Sequence, residues 1–363
     1  MMRYYVQTMP GVEEIAWLEI RALLPEAQFV EYQFAKEQNG IVLFDYDGSV
    51  EKLLQLQTAE DVFMEALSIS KVFRGRRDLQ ELKELVGRGE AVGRAINALG
   101  RYRKFSTPPT FRVISRKYGK HEYRRKDMER VVLEALQLRN PRWTAISDAA
   151  QVEFWVNLLG SRLLLGIRLS DKQMRHRFKR KVELPASLRP SVAAAMVFLT
   201  EPTAQDVFLD PMCGSGTILL ARRLMGSYKQ LLGGDSDPTR VAASEQNIAG
   251  RRKKGLPSTV QLRRWDAQKL PLETGSVDKV ATNLPFGKQV GTPAELERLY
   301  PAVFKELERV VRPNGRLVIL SSEYELVKTA VRQCPHLEIE RGYSIAVLGQ
   351  WGRIYLIRRT NGA

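Results

Sequence analysis

The residues best suited to chemistry lie in one short loop, Asn283-Leu284-Pro285-Phe286-Gly287, which follows the strand-like run Val277 to Ala281. An amine conjugated to a heteroaromatic ring is a weak nucleophile, because its lone pair is delocalised into the ring. The side-chain oxygen of Asn283 and a backbone carbonyl near Leu284–Pro285 can each accept one of its N–H bonds. That pairing orients the amine and favours a pyramidal nitrogen aimed at an electrophile. Pro285 stiffens the loop and brings no competing N–H donor. Phe286 offers a face on which a flipped-out base stacks, an interaction of about 1–3 kcal/mol. Asn283, Pro285 and Phe286 are the candidate catalytic residues.

A second cluster would hold a nucleoside-bearing cofactor. Val207-Phe208-Leu209 runs into Asp210-Pro211-Met212-Cys213-Gly214-Ser215-Gly216-Thr217 and then a helix. Gly214 and Gly216 permit a tight turn and close backbone approach to a ligand. The loop has no Gly-Lys-[Ser/Thr] and no full G-x-G-x-x-G, so it is neither a Walker phosphate loop nor a complete dinucleotide fingerprint. Asp235 ends the next strand and can accept both hydroxyls of a ribose diol. Asp266 follows the third strand, where a carboxylate can accept a hydrogen bond from an adenine amino group. The expected cofactor residues are Asp210, Pro211, Cys213, Gly214, Ser215, Gly216, Thr217, Asp235, Ser236, Asp266, Ala267 and Asn283. Each Asp alone could be a helix N-cap; three at successive strand ends converge on one edge. Cys213 is not placed as a covalent nucleophile toward a pyrimidine, which would call for a Cys in the fourth-strand loop. With only Cys213 and Cys334, no disulfide framework or metal-ligand spacing exists.

These loops need a scaffold that brings strand ends together. From Pro190 onward, short apolar strands at 207–209, 231–233, 260–262, 277–281 and 317–320 alternate with helical stretches. That pattern predicts an α/β domain with a doubly wound, mainly parallel sheet. Two late strands near 337–346 and 351–358 lack a helix between them and predict an antiparallel pair at one sheet edge. Upstream, Tyr4–Thr8, a helix carrying Ile15, Leu18, Ile20 and Leu23, and Ile41–Phe44 read as a small α+β module to about residue 70. A second α+β segment, 71–170, holds a strand at Phe111–Ile114 and a helix with Met128, Val131, Val132, Ala135 and Leu136 on one face. It closes with a hairpin alternating through Val152–Leu158 and Leu163–Leu169. Residues 171–187 read as a basic linker.

Charge identifies the partner class. The chain carries +16 in total, yet residues 1–66 hold 4 basic and 12 acidic side chains, −8 net, which leaves +24 for the other 297. One part of such a chain is built to face a polyanion. Residues 172–181, KQMRHRFKRK, carry six cations and no acid. The candidate RNA contacts are Arg112, Arg116, Lys117, Lys120, Arg124, Arg125, Arg175, Arg177, Lys179 and Arg180. No run of about 18 apolar residues predicts a membrane span, and the N-terminus lacks a signal peptide's apolar core. A cytoplasmic monomer acting on a nucleic acid is the expectation.

The Asn283–Phe286 loop resembles the Asn/Asp-Pro-Pro-Tyr/Phe motif of amino-group methyltransferases, with Leu284 in place of the first Pro. DPMCGSGTI and NLPFG, together with QTMPGVEEIAWLEI, FRVISRKYGKHEY and VEFWVNLLGSRLLLGIRL, resemble the THUMP-domain RNA guanine-N2 methyltransferases over nearly the whole chain. The resemblance implies a ferredoxin-like domain at 1–70, a THUMP RNA-binding domain at 71–170 and a Rossmann-like methyltransferase domain at 188–363. It also implies S-adenosyl-L-methionine as cofactor and N2-methylguanosine in a tRNA acceptor stem as product. Methylation of ribosomal RNA guanine-N2 or of adenine-N6 uses the same loop chemistry. A noncatalytic RNA-binding assembly factor is the remaining alternative, against which Asp210, Asp235, Asp266 and Asn283 stand intact.

Overall fold

The structure, a computed structural model, describes residues 1–35, 39–70, 75–105, 107–177, 180–185, 187–249, 259–287, 292–347 and 349–361. The chain divides into two compact units, one of residues 1–8 and 17–174, the other of 9–16 and 175–363.

In chain order the first part runs β1 (Met2–Thr8), α1 (Glu13–Leu23), β2 (Gln28–Ala35), β3 (Asn39–Tyr46), α2 (Val50–Leu53), β4 (Asp61–Ile69), α3 (Arg77–Arg88) and α4 (Glu90–Tyr102). It continues through β5 (Thr110–Tyr118), α5 (Arg125–Arg139), β6 (Thr144–Ala145), β7 (Val152–Leu159) and β8 (Arg162–Arg168). All eight strands join one sheet in the order β2-β3-β1-β4-β8-β7-β5-β6. The expected boundary near residue 70 falls beside β4, a strand that pairs antiparallel with β1 on one side and β8 on the other. Strand β2 and helices α3 and α4 carry no expectation from the sequence. Helix α4 buries Val92, Ala95 and Leu99, spaced three and four apart as one helical face requires. The expected hairpin forms as β7–β8, turning at Gly160 with φ +63°.

The second unit holds α6 (Pro190–Leu199), β9 (Val207–Asp210), α7 (Thr217–Leu224), β10 (Gln230–Asp235), α8 (Pro238–Ala249), β11 (Thr259–Arg264) and β12 (Val277–Asn283). After these come α9 (Pro293–Val310), β13 (Val311–Ser321), α10 (Tyr324–Arg332), β14 (Leu337–Val347) and β15 (Gln350–Arg359). The sheet order is β11-β10-β9-β12-β13-β15-β14; the first five strands are parallel and the last two antiparallel. This is the doubly wound α/β sheet with its antiparallel edge. Neighbouring strand residues feed opposite faces. Phe208, Leu231, Ala281, Leu320 and Ile354 pack into one apolar cluster with α6 and α7. Leu209, Leu232, Val280, Ile319 and Tyr355 pack into another with α9 and α10. Burial on both faces is why these strands read as continuous apolar runs. Among the described residues, no helix is long and apolar enough to cross a membrane.

Candidate active site

The parallel strands of the second unit all end at one edge, and their loops line a cavity of about 670 Å³. Ligands bind at this edge in open α/β sheets, and the size suits a nucleoside-bearing ligand. Of the expected cofactor and catalytic residues, Asp210, Pro211, Cys213, Gly214, Ser215, Thr217, Asp235, Ser236, Asp266, Ala267, Asn283, Pro285 and Phe286 all line it. Gly216 does not. It caps α7 at φ +78°, and a Cβ there would come within 2.4 Å of Ser244 Oγ, so its glycine serves the turn and the packing of α8.

Strand β9 delivers Asp210, and the loop after it is clamped from below. The Cys213 N–H donates to the Gly234 carbonyl at 2.8 Å, and the Gly214 N–H donates to Asp235 Oδ2 at 3.1 Å. Trp265 Nε1 donates to the Pro211 carbonyl at 2.9 Å. The Trp265 ring lies where a Gly234 side chain would be, so the sequence needs glycine there. Gly214 itself, at φ +51°, has open space on its Cβ side. Asp235 is buried; its Oδ1 accepts the Asp237 N–H at 3.1 Å, and Arg240 stands 3.9 Å from Oδ2. Each carboxylate oxygen has a second lone pair, so capacity for two ligand hydroxyls remains. Asp266 is exposed and accepts the Gln268 N–H at 2.9 Å.

Burial pushes the Asp210 carboxyl up to about 7; the Thr282 hydroxyl and the Met212 N–H pull it back in part, and the charge of Asp235 adds to the rise. Burial likewise raises the Cys213 thiol far above its ordinary value. A thiol held protonated is no nucleophile, which agrees with its reading as a packed side chain.

At the end of β12, the Asn283 Oδ1 atom is buried and has no hydrogen-bond partner among the described residues. Leu284 is buried, and its N–H donates to the Leu320 carbonyl at 3.0 Å. The Pro285 carbonyl accepts the hydroxyl of Tyr300, at 2.9 Å, and Tyr300 also meets Ser321 Oγ at 2.7 Å. Of the two carbonyls the sequence left open, Pro285 is thus already engaged. Phe286 is half-buried against the first apolar cluster. The sequence reading missed Tyr300, which holds the Pro285 carbonyl, and Trp265, Arg240, Gly349 and Gln350, which also line the cavity. None belongs to a motif; each reaches the site only through folding.

The expected RNA contacts fare differently. Arg112 is held by Glu153 at 2.5 Å and Asp148 at 2.7 Å. Arg116 lies 4.7 Å from the Trp155 ring centre and bonds Gln7 Oε1, and Arg125 bonds the Ser115 carbonyl and pairs with Glu129. Lys117 lies against the Tyr123 ring. Arg180 corrects the expectation. Its side chain is mostly buried and bonds Thr217 Oγ1, the Leu188 carbonyl and Glu183. It braces the cofactor loop because the linker folds back onto α7. Arg175 and Arg177 are half-buried, each with a partner. Lys120 and Arg124 are exposed. Lys179 lies outside the described residues.

The residues at the strand ends fit a nucleoside-bearing methyl donor: an unpartnered Asn oxygen, an open glycine and carboxylates with spare acceptor sites share one cavity. The chain is 30% identical over 297 residues to a mouse protein named tRNA (guanine(6)-N(2))-methyltransferase THUMP3, which covers 77% of this chain and 58% of the mouse protein. The chain spans 45%, 58% and 40% of the bovine, mouse and human proteins of that name. It is 28% identical to the tRNA (guanine(6)-N2)-methyltransferase of Thermus thermophilus over 97% of this chain and 98% of the other. The crystal structure of TrmN from Thermus thermophilus superposes with a TM-score of 0.76 at 24% identity, covering 99% of this chain and all of that one, which establishes the shared fold. Residues 177–343 match the family UPF0020, described as an RMKL-like methyltransferase domain. The strand-end site and that match agree: residues 177–343 are similar to RMKL-like methyltransferase domains.

Proposed function

We propose that the chain transfers the methyl group of S-adenosyl-L-methionine to the exocyclic N2 of a guanosine in the acceptor stem of tRNA. The observation that carries this reading is the buried, unpartnered Asn283 Oδ1 in a cavity shared with Asp210, Asp235 and Phe286. A buried acceptor without a donor is costly, and an amine N–H is the donor it lacks. The names of the relatives from mouse and Thermus thermophilus point to the same nucleoside.

When bound, the cofactor supplies an electrophilic sulfonium methyl. Asp235 holds the ribose diol, Asp266 the adenine amino group, and the Gly214 turn lets the ligand approach the backbone. Asn283 Oδ1 accepts one N–H of the target amine. The Leu284 carbonyl takes the other; that of Pro285 already accepts the Tyr300 hydroxyl on one of its two lone pairs. Phe286 stacks on the base. The exposed cations of residues 71–170, Lys120 and Arg124 foremost, contact phosphates. In this reading residues 1–70 form the ferredoxin-like domain, 71–170 the THUMP domain and 188–363 the catalytic domain, and the protein acts as a cytoplasmic monomer.

The test is transfer of labelled methyl from S-adenosylmethionine to transcribed tRNA, followed by nucleoside analysis. N2-methylguanosine is expected. N6-methyladenosine would replace the base assignment, and cofactor binding without transfer to any RNA would make the chain an assembly factor.

A further inference from the structure

Strand register places a second recognition element at the catalytic edge. Asn283 at the end of β12 pairs with Leu320 of β13, and β13 stops at Ser321. Strand β15 runs antiparallel to it, with Leu320 opposite Ile354 and Ser321 opposite Arg353. Beyond Arg353, β15 continues outward to Gln350, where it pairs with Val347 of β14. Three further residues at about 3.3 Å each carry the hairpin roughly 10 Å past the edge where the parallel strands stop. Its tip residues Gly349 and Gln350 line the same cavity as Asn283, Pro285 and Phe286.

Side-chain alternation puts Gln350 on the face of Ile354, which belongs to the apolar cluster that Phe286 packs against. Gly352, between them on that face, adds no side chain. Gln350 is half-buried, and among the described residues no hydrogen bond is made by its side chain. A partly desolvated amide in the cavity that Phe286 also lines is an uncommitted acceptor and donor pair.

We infer that Gln350 determines base specificity by reading the Watson–Crick edge of the target guanine. The inference rests on the guanine-N2 reading above. Beside the N2 amine, guanine presents the N1–H donor and then the O6 acceptor. The Gln350 amide supplies the matching order, Oε1 for N1–H and Nε2 for O6. Adenine presents an acceptor at N1 and then C2–H, so an amide turned over pairs Nε2 with N1 and leaves Oε1 facing a C–H, one hydrogen bond in place of two. Asn283 and Leu284 hold only the amine, and an amine alone does not distinguish the purines. A site that hydrogen-bonds its substrate rejects analogues lacking those groups, because its own polar atoms are left unpaired.

The experiment uses the full chain and a transcribed tRNA whose methylated position has been located by nucleoside analysis. That position carries either guanosine or 2-aminopurine riboside, which keeps the N2 amine and lacks N1–H and O6. Wild type should favour guanosine by about 10- to 100-fold in kcat/KM. Gln350→Ala should lose most of that factor on guanosine and much less on 2-aminopurine, where a turned amide makes one bond, with cofactor affinity and thermal unfolding unchanged. An equal loss on both substrates, or no loss on guanosine, would overturn the inference and leave the methylation reading standing. Failure of wild type to methylate any guanosine would overturn that reading, and the inference with it.

Discussion

The catalytic edge of the second unit and the basic segment of the first invite the same expectation, that functional side chains stand waiting for a ligand. They meet it differently. At the edge of β9, β10, β11 and β12, thirteen of the fourteen expected cofactor and catalytic residues line one cavity, and the key acceptor, Asn283 Oδ1, has no partner among the described residues. In residues 110–125, Arg112 is locked to Glu153 and Asp148, and Arg125 to Ser115 and Glu129, within the same unit. Strand-end position is a geometric constraint that folding preserves. Charge is only a tally, and the fold itself uses guanidinium groups to satisfy buried carboxylates such as Glu153.

The largest effect that would break the contrast is at Asn283. Asn283→Ala should lower turnover by two or more orders of magnitude, about 3 kcal/mol, the scale of one preorganised polar group. Cofactor and tRNA binding should hardly change, and Asn283→Asp, which keeps an acceptor oxygen, should retain more activity. Near-wild-type turnover in Asn283→Ala would make the loop an ordinary turn.

Asp235→Ala comes next. It removes an acceptor of ligand hydroxyls and the partner of the Gly214 N–H. Affinity for S-adenosylmethionine should fall roughly 10- to 100-fold, from about 1.5–3 kcal/mol per hydrogen bond to a charged group. Calorimetry showing unchanged affinity would take Asp235 out of the site.

Asp210 sharpens the picture through pH. Its folded value of about 7 lies above the ordinary carboxylate value of 3.8. The folded state therefore keeps a proton that the unfolded chain has lost. This group's contribution to stability is complete below pH 4 and is lost as pH rises through about 7. A cationic cofactor favours the ionised carboxylate, so its affinity should rise up to roughly tenfold between pH 6 and 8. Asp210→Asn should flatten that rise; a profile equally steep in the variant would assign it to another group.

The smallest effect separates the cations of the first unit. Lys120→Ala should weaken tRNA binding only a few-fold and reduce the slope of log affinity against log salt by about 0.7–0.9. Arg112→Met should leave that slope unchanged and lower stability by about 1.5–3 kcal/mol, because Glu153 loses one charged partner and keeps Arg168 and Trp155. Salt titrations of both variants, with thermal unfolding, decide it. A reduced slope in Arg112→Met would return that residue to the RNA face.

Elements stood out in the sequence where local pattern matched final environment. The β7–β8 hairpin alternates around a glycine turn, and the parallel strands read as apolar runs because both their faces are covered. Strand β4 did not stand out. Its partners are β1, far upstream, and β8, about a hundred residues downstream, and nothing local records that pairing. Helices α3 and α4 were missed although their buried residues, Leu82 and Val86, then Val92, Ala95 and Leu99, repeat at helical spacing.

From the sequence alone came the chemistry: an amide acceptor, a stiff proline and a stacking ring in one loop, with acids at three strand ends. These are local, because a parallel sheet brings the residue after each strand to a common edge whatever lies between. Tertiary structure set the surroundings of the loop, since the Tyr300 hydroxyl on α9 reaches the Pro285 carbonyl. It also withdrew Arg180 from solvent and carried Gln350 into the cavity on a strand that runs the other way. Such facts depend on side chains meeting across strands and helices that the chain joins only by long detours, and spacing in sequence carries no measure of that distance.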